Sequence, residues 1–227
     1  MTKIEWTDQT WNPSTGCEKI SAGCLNCYAE KMAKRLKGMG QKKYKRGFLP
    51  DYHIKELLRD FGKKPKKIFV NSMGDLFHKF IPDHFIYRVI RVIERNPQHI
   101  FQILTKRPER VSRIQWPKNV WFGVTVENRE ERKRINDLRR IPCKTKFISF
   151  EPLLEDIGIV DLSGIDWVIV GAETGPGARN MEMDWARGLF ETCWAQDNIP
   201  FFFKKVSKGD ICPEDLKIRE FPGGSNA

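Results

Sequence analysis

The sequence predicts an α/β protein in which about six to seven mostly parallel strands curl into a partial or complete (β/α) barrel. Short apolar, β-rich runs recur along the chain, amphipathic segments separate several of them, and a polar cluster follows each run. The runs are nearly continuous rather than alternating, the pattern of strands covered on both faces in a parallel sheet. A doubly wound open sheet fits the same periodicity and remains the alternative.

A first short strand falls near Trp6–Trp11, and a weak helix follows Cys27. Strands are then expected at Lys67–Val70, Ile100–Leu104, Val120–Val126, Lys146–Phe150, Trp167–Val170 and Pro200–Phe203. Pro82–Arg95 reads as a helix because proline and aspartate open it and Phe85, Ile86, Val89, Ile90 and Ile93 recur at helical spacing. Asn128–Arg140 has a polar cap and a sparse apolar side of Ile135 and Leu138. Asp184–Gln196 is expected to be capped by Asp184 and to bury Trp185, Leu189, Phe190 and Cys193. No linker or repeat divides the chain, so residues 1–206 read as one domain and 207–227 as a C-terminal extension.

At 227 residues and 40% hydrophobic content the chain can bury one substantial core. No apolar run reaches the roughly 18 residues of a membrane span, and Met1–Trp6 has no apolar signal core. Six cysteines without an export signal read as thiols or metal ligands rather than disulfides, which points to reducing cytoplasm.

Cys17, Cys24 and Cys27 fall within eleven residues. A cubane iron–sulfur cluster normally takes four thiolates, so a group of three leaves one iron open to a substrate or cofactor. Structural zinc is the rival and needs a fourth ligand from Cys143, Cys193, Cys212 or one of His53, His78, His84 and His99. The six-residue gap before Cys24 is longer than a zinc knuckle uses, and no second C-x-x-C exists.

The polar strand ends are Asn71-Ser72-Met73-Gly74-Asp75, Thr105-Lys106-Arg107, Thr125 with Glu127-Asn128, Ser149 with Glu151-Pro152, Gly171 to Arg179, and Lys204-Lys205. In parallel α/β folds functional groups gather at the carboxyl ends of strands, so together they predict a lined active-site mouth. Glu151 and Glu173 each follow an apolar strand directly and serve either catalysis or an ion pair with a barrel lysine or arginine. The Gly175-Pro176-Gly177 loop lets backbone approach a ligand, with Arg179 placed to pair an acidic group.

The formal charge is +11, and between Lys31 and Arg46 eight basic residues occur without an acid. With Tyr44 and Phe48 beside them, Lys42, Lys43, Lys45 and Arg46 form a candidate nucleic-acid contact. The bland reading of that run is a solvated helix face and loop.

The segments W-N-P-S-T-G-C-E-K-I-S-A-G-C-L-N-C-Y-A-E, N-S-M-G-D-L-F-H, L-T-K-R-P, S-F-E-P-L-L and V-G-A-E-T-G-P-G-A-R closely resemble a three-cysteine-motif family of phage and mobile elements. That family is related to the radical S-adenosylmethionine (SAM) enzymes and distantly to spore photoproduct lyase. The resemblance spans about Ile4 to Phe203. It implies a partial TIM-type barrel with a [4Fe–4S] cluster on Cys17, Cys24 and Cys27, SAM on the open iron, an external electron donor, and a 5′-deoxyadenosyl radical that takes hydrogen from DNA or a nucleotide. It further implies that Asn71, Ser72, Met73, Gly74 and Asp75 hold the SAM amino group, with Asp75 as acceptor. Thr125, Glu127 and Ser149 would line its ribose and carboxylate, and Gly171, Gly175 and Gly177 its adenine or the substrate. Tyr28 and Thr105 complete the expected cofactor pocket, and Glu151, Glu173, Arg179 and Lys204 the catalytic set. The chain departs from the common C-x3-C-x2-C spacing in its first gap, and Asn26 replaces the aromatic that precedes the last cysteine. The competing expectation is a non-catalytic protein that binds nucleic acid or recruits a partner protein, with a cluster or zinc bracing its N-terminal loop.

Overall fold

A computed structural model of the chain describes residues 4–111, 114–207 and 209–224. Strand β1 (Gln9–Trp11) leads into a small antiparallel ribbon of β2 (Ser14–Thr15) and β3 (Asp51–Tyr52). Then come β4 (Lys67–Val70), β5 (Ile100–Thr105), β6 (Val120–Thr125), β7 (Thr145–Phe150), β8 (Trp167–Gly171) and β9 (Phe201–Lys205). With β1 they form a seven-stranded sheet in the order β1-β4-β5-β6-β7-β8-β9. Every neighbouring pair is parallel.

The sheet curls but does not close, because β1 and β9 are its two ends. Trp6, just before β1, lies 4.6 Å from Phe69 on β4 and 6.2 Å from Trp167 on β8, measured between ring centroids. On a flat sheet those two strands would stand about 19 Å apart, at about 4.8 Å per strand. One indole can touch both only inside a trough. The protein is a partial TIM-type barrel of the α/β class, and the open-sheet alternative is set aside.

The outer face packs against α2 (Asp83–Glu94), α3 (Lys133–Arg140) and α4 (Met183–Ala195), whereas α1 (Tyr28–Gly38) covers a small separate cluster of Ala29, Ala33, Tyr44 and Met73. Ile68, Phe101, Phe122, Ile148, Val168 and Phe201 share the large core with Phe85 and Val89 of α2, Leu138 of α3 and Leu189 of α4. The inner face holds a second, mostly aromatic core of Trp6, Phe69, Trp121, Phe147, Trp167, Ile169, Phe202 and Phe221. This double coverage explains the unbroken apolar runs. Gly123 faces inward, and a Cβ there would meet the Phe147 ring at 2.5 Å, so its bare backbone leaves room for that ring.

Boundaries differ in instructive ways. The helix expected from Asn128 begins as a 3₁₀ turn (Arg129–Arg132), with Asn128 accepting the Glu131 amide at 3.1 Å, and becomes α-helical at Lys133. Asp184 lies in the first turn of α4 rather than at its cap, which is Glu182. Trp185 and Phe190 are only partly buried, whereas Cys193 is fully buried. Residues of the aperiodic C-terminal extension dock on the barrel. Leu216 enters the large core, Phe221 stacks near Trp167 at 5.3 Å, and the Trp167 indole donates to the Glu220 carbonyl at 2.8 Å. Among the described residues no helix is long and apolar enough to cross a membrane.

Candidate functional site

At the carboxyl ends of the strands lies a cavity of about 480 Å³, and Cys17, Cys24 and Cys27 all line it. The route of the chain explains how they get there. After β2 the backbone forms a parallel bridge between Gly16 and Gly74, and Gly16 and Cys17 donate to the Met73 and Phe48 carbonyls at 2.9 and 3.1 Å. A Cβ on Gly16, whose φ is +84°, would lie 2.3 Å from the Leu49 oxygen, and one on Gly74 would lie 2.7 Å from the Gly16 oxygen. Both positions require glycine. Cys24 ends a 3₁₀ turn (Ala22–Cys24), and Cys27 is the residue before α1.

Two buried clamps hold this loop. Glu127 is fully buried, and its carboxylate accepts from Lys106 at 3.0 Å, the Gly23 amide at 3.2 Å, Arg134 at 2.7 Å and the Ser21 hydroxyl. Burial pushes its pKa up, but the Lys106 and Arg134 charges prevail and bring it below the ordinary carboxylate range. On the other side Glu173 accepts from Arg179 and Asn26 at 2.9 and 3.0 Å, while Arg179 also donates to the Ala22 carbonyl at 2.9 Å. Burial again opposes ionisation, yet the hydrogen bonds from Arg179 and Asn26 hold the Glu173 carboxyl at about 2. Asn26 also reaches the Gly177 carbonyl at 2.7 Å, and Lys31 reaches that of Pro176 at 2.9 Å.

Arg107 ties Asp75 to the start of the cysteine loop. It is buried and donates to the Cys17 sulfur at 3.2 Å, to Asp75 at 3.1 Å and to the Glu18 carbonyl at 3.0 Å. Burial and the Asp75 charge raise the Cys17 thiol to about 11 against the pull of Arg107. Asp75 also accepts from the Thr105 hydroxyl at 2.9 Å and from the Lys106 and Phe77 amides at 3.2 and 3.0 Å. Its two oxygens are thus shared among several internal donors, while the residue still lines the cavity.

Of the expected cofactor and catalytic positions, Tyr28, Asn71, Ser72, Gly74, Asp75, Thr105, Thr125, Ser149, Glu151, Glu173 and Lys204 line the cavity. Glu127, Gly171, Gly175, Gly177 and Arg179 do not line it; Glu127 and Arg179 belong to the two clamps, and Gly175 and Gly177 are exposed. Met73 is turned away into a small cluster with Ala29, Ala33 and Tyr44 under α1. Asn71 adopts φ of 63° and fixes Ser14, accepting its amide at 3.2 Å and donating to its hydroxyl. Tyr28 donates to the Ser72 carbonyl, and Glu151 forms an ion pair with Lys204. Thr125 and Ser149 stand side by side in register on β6 and β7. The Ser149 hydroxyl is buried, lines the cavity and has no partner among the described residues.

Cys143, Cys193 and Cys212 do not line the cavity, and His53 is bonded to the Thr15 hydroxyl at 2.8 Å. Among the described residues no three His, Cys, Asp or Glu side chains converge on one point as a single metal ion requires. The three cysteines share the cavity as lining residues.

The basic segment runs beside this loop, since Phe48 both lines the cavity and holds the Cys17 amide. Lys42, Lys45 and Arg46 are exposed. Lys43 differs: its ammonium is bonded to Glu56 at 2.6 Å and to the Asn12 carbonyl at 2.8 Å. The sequence places Lys106 and Arg107 in a polar strand end but assigns them no individual role, and nothing in it marks Ser21. The visible signal was the Lys106-Arg107 pair closing a strand, and Asn26 in place of an aromatic marked the other clamp.

Two spore photoproduct lyase structures are similar to this fold. The lyase complexed with dinucleoside spore photoproduct aligns with a TM-score of 0.45 and 12% identity over 79% of this chain and 58% of its own. A mutant lyase with bound AdoMet and the same dinucleoside aligns at 0.42 and 11% over 81% and 60%. The chain thus spans about three fifths of those proteins' length. No curated protein sequence matches it. A family model described as a protein of unknown function, DUF5131, matches residues 1–219. The chain belongs to the DUF5131 family.

Proposed function

We propose that the protein is an iron–sulfur enzyme of the radical SAM type that acts on DNA or a nucleotide. The observation that carries this reading is that Cys17, Cys24 and Cys27 all line one open cavity at the carboxyl ends of a parallel half-barrel. A [4Fe–4S] cluster held by three thiolates keeps one iron for a ligand. When bound together with SAM and an external electron donor, it supplies one-electron cleavage of the sulfonium and hydrogen abstraction from a substrate.

The chain's own residues do the rest. Arg107 holds the Cys17 sulfur in place and places positive charge beside it. The Glu127 and Glu173 clamps keep the long cysteine loop in one conformation. Thr125, Ser149 and the Glu151–Lys204 pair offer polar contacts to a ligand above an aromatic floor that excludes water. Lys42, Lys45 and Arg46, with the chain's net charge of +11, support a polyanionic substrate.

Anaerobic reconstitution tests the reading. Iron and sulfide should each reach about four per chain and fall when Cys17, Cys24 or Cys27 is replaced by alanine. The reduced protein should convert SAM to 5′-deoxyadenosine and methionine. Stoichiometric zinc without sulfide overturns the reading. DNA binding with no SAM cleavage under any reductant supports instead a binding protein with a structural cluster.

A further inference from the structure

Successive residues of a strand point to opposite faces, so two consecutive side chains do not normally line one cavity. Lys204 and Lys205 both do. The cause is a break in the register of β8 and β9: Val170 pairs with Phe203, but Gly171 pairs with Lys205, leaving Lys204 as the extra residue. The Ala172 amide donates to the Lys205 carbonyl at 3.0 Å and locks the shifted pairing. Such bulges re-aim side chains next to active sites.

The two ammonium groups are not equivalent. Lys204 is paired with Glu151. Lys205 is half-buried and, among the described residues, its ammonium makes no hydrogen bond or ion pair. The other acid that acts on it, Glu5, is paired with Arg219. Holding an unpaired cation in a partly desolvated wall is unfavourable unless a ligand meets it. The same cavity carries the Ser149 hydroxyl, 1% exposed, and the Trp6 indole N–H, 2% exposed, both without a partner among the described residues. The apolar side chains of Phe69 and Leu104 line it as well. A spare cation, free donors and an apolar wall together fit a ligand with an anionic head and a flat apolar body.

We infer that Lys205, brought to the mouth by the β9 bulge and aided by the Ser149 hydroxyl, binds a phosphate of a nucleotide-sized substrate. This rests on the reading that the protein acts on DNA or a nucleotide, but it does not depend on the cluster.

The test uses the full chain and a fluorescein-labelled deoxydinucleotide, with and without a 5′-phosphate, in polarisation titrations over a salt series. Lys205→Met should weaken binding of the phosphorylated probe about tenfold, the loss of one charge-assisted hydrogen bond. The slope of log affinity against log salt should fall by about 0.7, one phosphate contact to a single strand. Lys205→Arg should restore both, and Lys205→Gln should match the methionine variant while replacing the methylene stem with another polar chain. Unchanged affinity and slope in both neutral Lys205 variants overturns the inference. So does a loss confined to SAM binding, which would assign Lys205 to a carboxylate. Zinc in place of a cluster, with the dinucleotide effect intact, would sink the radical SAM reading and leave the phosphate site standing.

Discussion

Replacing Glu127 with glutamine keeps the shape of a fully buried side chain and removes its charge. Two cations depend on that charge. Arg134 is 2.7 Å away with only 5% of its side chain exposed, and Lys106 is 3.0 Å away with 19% exposed. Breaking one side of a buried ion pair costs about 3–5 kcal/mol, because the partner is left uncompensated. Arg134 retains Glu131 at 2.9 Å and the Thr125 carbonyl at 2.8 Å, and the longer-reaching Lys106 can turn toward solvent. The lower end, about 3 kcal/mol, is therefore expected. For a chain of this size that is a fall in melting temperature of about 6–12 °C. Guanidinium unfolding followed by tryptophan fluorescence measures it, with Glu130→Gln on the exposed surface as the control expected to stay within about 0.5 kcal/mol. Because Glu127 also receives the Gly23 amide and the Ser21 hydroxyl, the Cys24 thiol should react faster with a disulfide reagent in the folded variant. A loss under about 1 kcal/mol with unchanged thiol reactivity would show that the cysteine loop is braced elsewhere and refute the clamp.

Glu173 predicts an acid limb: its folded pKa of about 2 lies below the ordinary glutamate value of 4.5, so its contribution is complete above the unfolded value and is lost as pH falls toward 2. Urea unfolding from pH 5 to about pH 2 should show a shallower decline for Glu173→Gln than for the parent chain, and parallel curves would count against the Arg179 clamp. Gly123→Ala drives a Cβ into the Phe147 ring and should cost about 1–3 kcal/mol, with Phe147→Leu in the same chain recovering part of it by equilibrium unfolding. Gly16→Ala places a side chain at φ of +84° and against the Leu49 carbonyl, so amide exchange in residues 15–27 should quicken while exchange in β6 and β7 stays slow. Uniform protection across both regions would mean that the Gly16–Gly74 approach can relax.

The strands and helices were legible because their signals are local. Lys67–Val70 is a strand with the expected ends, and Phe85, Ile86, Val89 and Ile90 mark the buried stripe of α2. The cysteine triad was equally plain, since its three thiols lie within eleven residues. What each polar strand end does was not readable, because it depends on which distant residue the curl of the sheet brings alongside. Arg107 meets the Cys17 sulfur across 90 residues, and Glu127 meets the Gly23 amide across 104. A carboxylate at a strand end looks the same in the sequence whether it faces a ligand or a buried arginine. Only the fold made Glu127 a clamp, engaged Asp75 with Arg107, and turned Met73 under α1. The same holds for the one-residue register break that brings Lys205 into the mouth and for the aperiodic tail whose Phe221 fills the trough beside Trp167. Local propensity sets the elements. The side of the wall on which a residue ends is decided by register and curvature, which are properties of the packed sheet as a whole.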